Sequence, residues 1–190
     1  MTVTAVRKDP QRLTLTVVAE FDASVERVWQ PWADPRQLER WWGPPTYPAT
    51  FTKHDLAPGS RVEYHMTGPA GDQPHGYWDV LEVEPPRRIL LRDACANADG
   101  TPNPESTIRV DIEEVAPGHT RMSIESVFTS TEAMEQALAN GTDEGLSQAV
   151  SQIDAILAEE MIQRQIQRRA VVTTSTNQPT TNSAGRELRP

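Results

Sequence analysis

The stretch T-E-A-M-E-Q-A-L-A-N-G-T-D-E-G-L-S-Q-A-V-S-Q-I-D-A-I-L-A-E-E, residues 131 to 160, decides how the rest of the chain is read. It holds no proline, and Met134, Leu138, Leu146, Ala149, Val150, Ile153, Ile156 and Leu157 recur near the helical period. Ser130 or Thr131 can cap the first turn with its hydroxyl. Gly141 and Gly145 interrupt the pattern, and each costs about 1 kcal/mol against alanine in a helix. The spacing therefore predicts a long helix that kinks or breaks at the glycines, or is approached closely there. An amphipathic helix of this length needs a broad apolar surface, which the preceding residues supply as a curved antiparallel sheet.

Those residues read as strands. Leu13, Leu15, Val17, Ala19 and Phe21 alternate with polar neighbours and predict the first one. Ser24 then opens a short helix bearing Val25, Val28, Trp29 and Trp32, with Pro31 bending or stopping its last turn. Asp34-Pro35 starts a second short helix, which carries Leu38, Trp41 and Trp42 to the Gly43-Pro44-Pro45 stop. Six more strands follow, over 48–54, 61–66, 76–84, 88–93 and the alternating runs around Ile108–Ile112 and Thr120–Ser126. Short Pro and Gly turns join them, with Asp99-Gly100 marking a tight turn, so an antiparallel meander is expected. The predicted fold class is α+β: a seven-stranded antiparallel sheet curved around a long C-terminal helix, with two short helices plugging one end. Such an arrangement usually leaves a cavity between sheet and helix, suited to a small apolar ligand.

Composition limits the alternatives. With 190 residues, 37% hydrophobic and 24% charged, the chain can bury one sizeable core. No apolar run is long enough to span a membrane, and residues 1 to 10 lack a secretory core. Cys95 is the only cysteine, so no internal disulfide forms. Together these place the protein in the cytoplasm. A net charge of −9 argues against nucleic acid as a partner. The charge is uneven: residues 161 to 190 hold five arginines and one acid, a balance of +4. Residues 1–11 are expected to be flexible, 12–160 to form the domain and 161–170 to prolong the helix. Residues 171–190, rich in Thr, Asn, Ser and Pro, are expected to stay disordered.

Several segments resemble one family. A-S-V-E-R-V-W-Q-P-W-A-D-P-R-Q-L-E-R-W-W-G-P (23–44) is similar to the opening signature of the activator of heat-shock protein 90 ATPase homologue family. That family lies within the SRPBCC superfamily of START-like, helix-grip domains. P-G-S-R-V-E-Y-H-M-T-G-P-A-G (58–71), L-E-V-E-P-P-R-R-I (81–89), D-G-T-P (99–102) and G-T-D-E-G-L-S-Q-A-V-S-Q-I-D-A-I-L (141–157) follow in the family's order. The resemblance implies a START-like fold and a role in stress response, and brings in a chaperone contact by resemblance only. Leu146 stands where the family usually has tryptophan, and Trp78 where a glycine is expected, so the resemblance carries no ligand identity.

Among chemistry-bearing residues, the four histidines (54, 65, 75 and 119) lack metal-ligand spacing, and no phosphate loop or nucleophile elbow occurs. No metal or cofactor is expected. The candidate ligand-binding residues are Trp41, Trp42, Tyr64, Met66, Trp78, Glu82, Asp93, Met134, Leu138 and Leu146. Tyr64 and Met66 share the Val62 face. Glu82 shares a face with Trp78 and Val80 at period two. Asp93 follows Ile89 and Leu91 at the same period, so it either points inward or caps the next loop. Two function classes remain: a binder of a hydrophobic small molecule, and a polyketide cyclase-like enzyme using Tyr64, Asp93 or Glu82 as acid or base. A homodimer is left open.

Overall fold

A computed structural model describes residues 2–95 and 105–175. The elements run β1 (Val3–Asp9), β2 (Thr14–Phe21), α1 (Val25–Ala33), α2 (Pro35–Leu38), β3 (Ala49–Lys53), β4 (Arg61–Met66), β5 (His75–Glu84) and β6 (Arg88–Cys95). After residues 96–104, which include the expected Asp99-Gly100 turn and lie outside the described residues, come β7 (Ser106–Ala116), β8 (His119–Phe128), α3 (Thr131–Ala139), α4 (Thr142–Ser151) and α5 (Ile153–Ser175). The fold is α+β. Among the described residues, eight strands form one curved antiparallel sheet in the order β1-β2-β8-β7-β6-β5-β4-β3. The helical residues from Thr131 to Leu157 pack on one face of that sheet, the helix-grip arrangement.

The pleat divides the sheet into two chemistries. The inner face carries Val17, Ala19 and Phe21 of β2, Val62 and Tyr64 of β4, Trp78 and Val80 of β5, and Ile89 and Leu91 of β6. Ile108, Val110, Ile112, Met122 and Ile124 continue it across β7 and β8. Ala149, Val150, Ile153, Ile156 and Leu157 close the same core from the helical side, as the period predicts. Each fully buried side chain of the Ile or Leu type contributes about 1.5–3 kcal/mol. The outer face carries charge pairs such as Arg61–Asp79 at 2.7 Å and Arg88–Asp111 at 2.7 Å.

Three expectations change. First, the sheet has eight strands rather than seven, because Val3–Asp9, expected to be flexible, forms the edge strand β1. Its alternation is broken by a register shift between Val3 and Ala5, and it carries Arg7, Lys8 and Asp9. Pairing with β2 and contact with α4 hold it in place, so its own pattern says little. Second, the long helix is three: the break at the glycines is as expected, and the turn at Gln152 is not. The chain breaks at Gly141, whose φ of 77° is the left-handed conformation that glycine tolerates, and turns again at Gln152. Gly145 stays inside α4. Third, α2 has only four residues, so Trp41 and Trp42 lie in the turn beyond it, while α1 runs two residues past Pro31. Asp34 caps α2 as expected, accepting from the Arg36 N–H at 2.9 Å.

The residues up to Leu157 form one unit and those from Ala158 onward a second. In the second, α5 continues through 161–170 as far as Ser175, with Met161, Ile162 and Ile166 exposed. Residues 176–190 of the expected tail lie outside the described residues.

Candidate functional site

Six aromatic side chains from five segments meet on the inner face. Trp32 comes from α1, Trp41 and Trp42 from the turn after α2, Phe51 from β3, Tyr64 from β4 and Trp78 from β5. Ring centroids lie 4.7 Å apart for Trp42 and Trp78, 4.7 Å for Trp32 and Trp41, and 5.5 Å for Tyr64 and Trp78. The closest pairs are edge-to-face, the geometry ring quadrupoles favour. Gly76 makes room for this wall. It sits opposite Tyr64 across β4 and β5, and a Cβ there would fall 2.4 Å from the tyrosine ring.

The four tryptophan N–H groups in the cluster have different fates. Trp41 donates to the Pro31 carbonyl at 2.9 Å, one of the carbonyls left free at the end of α1. Trp32 donates to Met122 Sδ at 3.3 Å. Trp78 donates to Asp93 Oδ1 at 2.8 Å. Trp42 is 7% exposed, and its buried N–H has no hydrogen-bond partner.

Asp93 is the polar centre of the wall. β6 continues past it to Cys95, so the carboxylate points inward with Ile89 and Leu91 rather than capping a loop. It faces Trp78 directly across the ladder. Although the residue as a whole is half-buried, its carboxyl is enclosed, and this desolvation pushes it up to about 7. Hydrogen bonds from Trp78 and Tyr64 to the charged form pull the other way and lose. Near neutral pH the group therefore exists both as a donor acid and as an acceptor carboxylate.

The other expected residues are placed less uniformly. Met66 is half-buried beside Gly43, where a Cβ would come within 3.4 Å of its sulfur. Leu146 is partly buried against the same core. Met134 belongs to a separate cluster with Leu15, Phe128 and Ala133, and Leu138 packs on that cluster. Glu82 does not share the Trp78 face. A bulge between Val80 and Glu82 pairs Glu82 with Leu90 and Val83 with Ile89, so Val83 turns in and Glu82 turns out to solvent. A strict period of two cannot foresee an inserted residue.

Trp32, Phe51, Gly76 and Gln152 belong to the site and were not singled out from sequence. Gln152, at the α4–α5 turn, donates through Nε2 to the Trp41 carbonyl at 3.2 Å and the Gly43 carbonyl at 2.9 Å. Trp42 is thus held at the seam, tethered on both sides to the helix turn and stacked on the sheet. The conspicuous signal for Trp32 was its place on the apolar side of α1. A glutamine in a helix gives no such signal.

Among the described residues, no group of three or more His, Cys, Asp or Glu side chains is placed to hold a metal ion. No described helix is long and apolar enough to cross a membrane.

These features define a START-like helix-grip protein with an aromatic inner wall and one enclosed acid. Residues 22–158 match the family described as Activator of Hsp90 ATPase homolog 1-like protein, and the chain belongs to that family. It is similar to a protein of Arthrobacter aurescens solved by NMR, with 44% identity over 83% of this chain and 93% of that one, at a TM-score of 0.78. A crystal structure of a Mycobacterium smegmatis protein is 46% identical over 83% of this chain and 99% of that one, at a TM-score of 0.75. The AHSA1 protein from Silicibacter pomeroyi shares the fold at 22% identity, covering 77% of this chain and 99% of that one, with a TM-score of 0.63. Among curated proteins there is no match.

Proposed function

We propose that this protein binds a hydrophobic small molecule between the inner face of the sheet and the helical residues up to Leu157. The observation that carries this reading is the aromatic wall of Trp42, Tyr64 and Trp78 built around the enclosed Asp93 carboxyl. An acid held away from water costs stability, and one or two polar groups on an apolar surface are what orient a small ligand. Within the described part of that wall, Tyr64 and Asp93 are the bonded ionisable pair, Glu82 faces outward, and His54 stands at the edge against Phe51 and the Trp32 carbonyl. This sparse polarity favours a binder over an enzyme with a convergent catalytic set. Under this reading the stress-response role implied by family likeness works through the ligand rather than through a chaperone contact.

The test is native mass spectrometry of the purified full chain, followed by titration of its tryptophan fluorescence with Nile red, a neutral apolar dye. A co-purifying small molecule, or saturable quenching at micromolar dye, supports the reading. Neither bound mass nor saturation removes it.

The enzymatic reading rests on the Asp93 carboxyl, whose position near neutrality suits acid or base work. Asp93→Asn separates the two. A binder retains saturable ligand uptake, whereas a cyclase-like enzyme binds a poly-β-keto substrate analogue but no longer converts it.

A further inference from the structure

We infer that the Trp42 indole N–H is a ligand donor, and that the molecule bound is a neutral apolar ring compound carrying a carbonyl oxygen. The inference rests on the binding reading above and goes beyond it by fixing the ligand's polar group. Three of the four indole N–H groups in the cluster are already engaged, by Pro31, Met122 and Asp93. Trp42 alone among these four keeps a buried donor without a partner. Buried donors in native structures are nearly always satisfied, so an orphan in a cluster this tightly accounted for marks a partner that arrives from outside. Its edge-to-face neighbours Trp41 and Trp78 carry no side-chain acceptor, because an indole N–H only donates.

Location agrees with this. The Gln152 amide grips the Trp41 and Gly43 carbonyls on either side, while Trp78 and Tyr64 flank the ring from the sheet. The donor therefore lies where sheet and helix meet, the seam at which the ligand is proposed to sit. The chemistry of the acceptor follows from the neighbours. A ketone or similar carbonyl takes the N–H without bringing charge. An anion would bring a second negative charge toward the wall that holds the Asp93 carboxylate, which disfavours it. The surrounding rings reward a flat apolar body.

Two probes of nearly equal shape test the inference on the full chain: 2-acetylnaphthalene, with a carbonyl, and 2-ethylnaphthalene, without one. The ketone is expected to bind about tenfold more tightly, the scale of one well-formed hydrogen bond. In a proton–nitrogen correlation spectrum the Trp42 indole cross-peak should move with the ketone and stay in place with the hydrocarbon. Trp42→Phe should bring the ratio of the two affinities close to one, whatever it does to the affinity of each probe. Should that variant fail to fold, the cross-peak of the unaltered protein decides alone. Equal affinities, or a Trp42 peak indifferent to the ketone, overturn the inference while leaving the binding reading intact. If neither probe saturates, the inference falls, and the native mass spectrum and the dye titration decide the binding reading separately.

Discussion

Two aspartates on one strand ladder, Asp79 and Asp93, have opposite environments. They belong to β5 and β6 and sit one register step apart, since Trp78 pairs with Asp93 and Asp79 with Arg92. Asp79 points to the outer face, where Arg61 bonds it at 2.7 Å and Arg92 lies 3.9 Å away. The Arg61 hydrogen bond holds its carboxyl below the usual range. Asp93 points to the inner face, where rings replace cations and burial pushes its carboxyl up to about 7. The same residue type is thus stabilised as an anion on one side of the pleat and penalised as an anion on the other. The sheet does not average its surroundings; a single step along a strand selects water or rings.

Removing the inner face itself should have the largest effect. Ile153 is fully buried among the helical and sheet residues of the main core. Ile153→Ala is expected to cost about 2–5 kcal/mol in a denaturant titration, from lost transfer energy and the cavity left behind. A loss below about 0.5 kcal/mol, the scale of a surface change, would mean that this face is not the packed one.

Next comes the pH dependence that separates the two aspartates. The Asp93 carboxyl rises from 3.8 to about 7 on folding. Below pH 3.8 both states hold the proton, and the group contributes nothing to stability. Between that pH and about 7 the unfolded chain loses the proton first, so stability falls as pH rises, then levels off. The full loss is at most on the order of 4 kcal/mol, at about 1.4 kcal/mol per unit. Unfolding free energies measured at pH 5 and pH 8 should therefore diverge between the wild-type protein and Asp93→Asn, with the variant gaining relative stability at pH 8. Parallel behaviour would show that Asp93 ionises as if in water.

Leu146 lies partly buried on the helical side of the same core. If the space beside it is open, Leu146→Trp should fold normally and weaken Nile red binding. A loss of about 1–3 kcal/mol would instead report overpacking of a filled site. Unchanged dye binding by a stable variant would take Leu146 out of the ligand's surroundings.

The smallest effect belongs to the outer face. Asp79→Asn removes an ion pair whose arginine stays half in water, and such pairs contribute little. Its sign is opposite to that of Asp93: a depressed carboxyl stabilises above its unfolded value and loses this as the pH falls through the folded one. The expected result is a denaturant midpoint close to wild type at pH 7 and indistinguishable from it in acid. A drop comparable with that of Ile153→Ala would collapse the distinction between the two faces.

Much of this architecture was legible. Strands such as 61–66 and 108–112 show alternation because one face meets rings and aliphatic groups and the other meets water. The stripe from Ala149 to Leu157 was legible because one side of a helix meets that same core. β1 was not, because an edge strand is held by its neighbour's hydrogen bonds rather than by an apolar face of its own. The Asp93 carboxyl was legible as a choice between two orientations. The orientation taken depends on how far β6 pairs with β7, and Asp93 pairs with Ser106.

The sequence by itself determined the periodicities, and with them the α+β class, the helix-grip order and the residues of the core. Family membership lay in its motifs. Only the tertiary structure decided the bulge that turned Glu82 outward, the separation of Met134 and Leu138 from the aromatic wall, and the meeting of Trp42, Gln152, Tyr64 and Asp93. The physical reason is range. Periodicity records whether each residue faces core or solvent, a property of one element. Which polar atom finds a partner depends on elements far apart in the chain, as with the Gln152 amide on Trp41, and on single-residue irregularities that no average pattern contains.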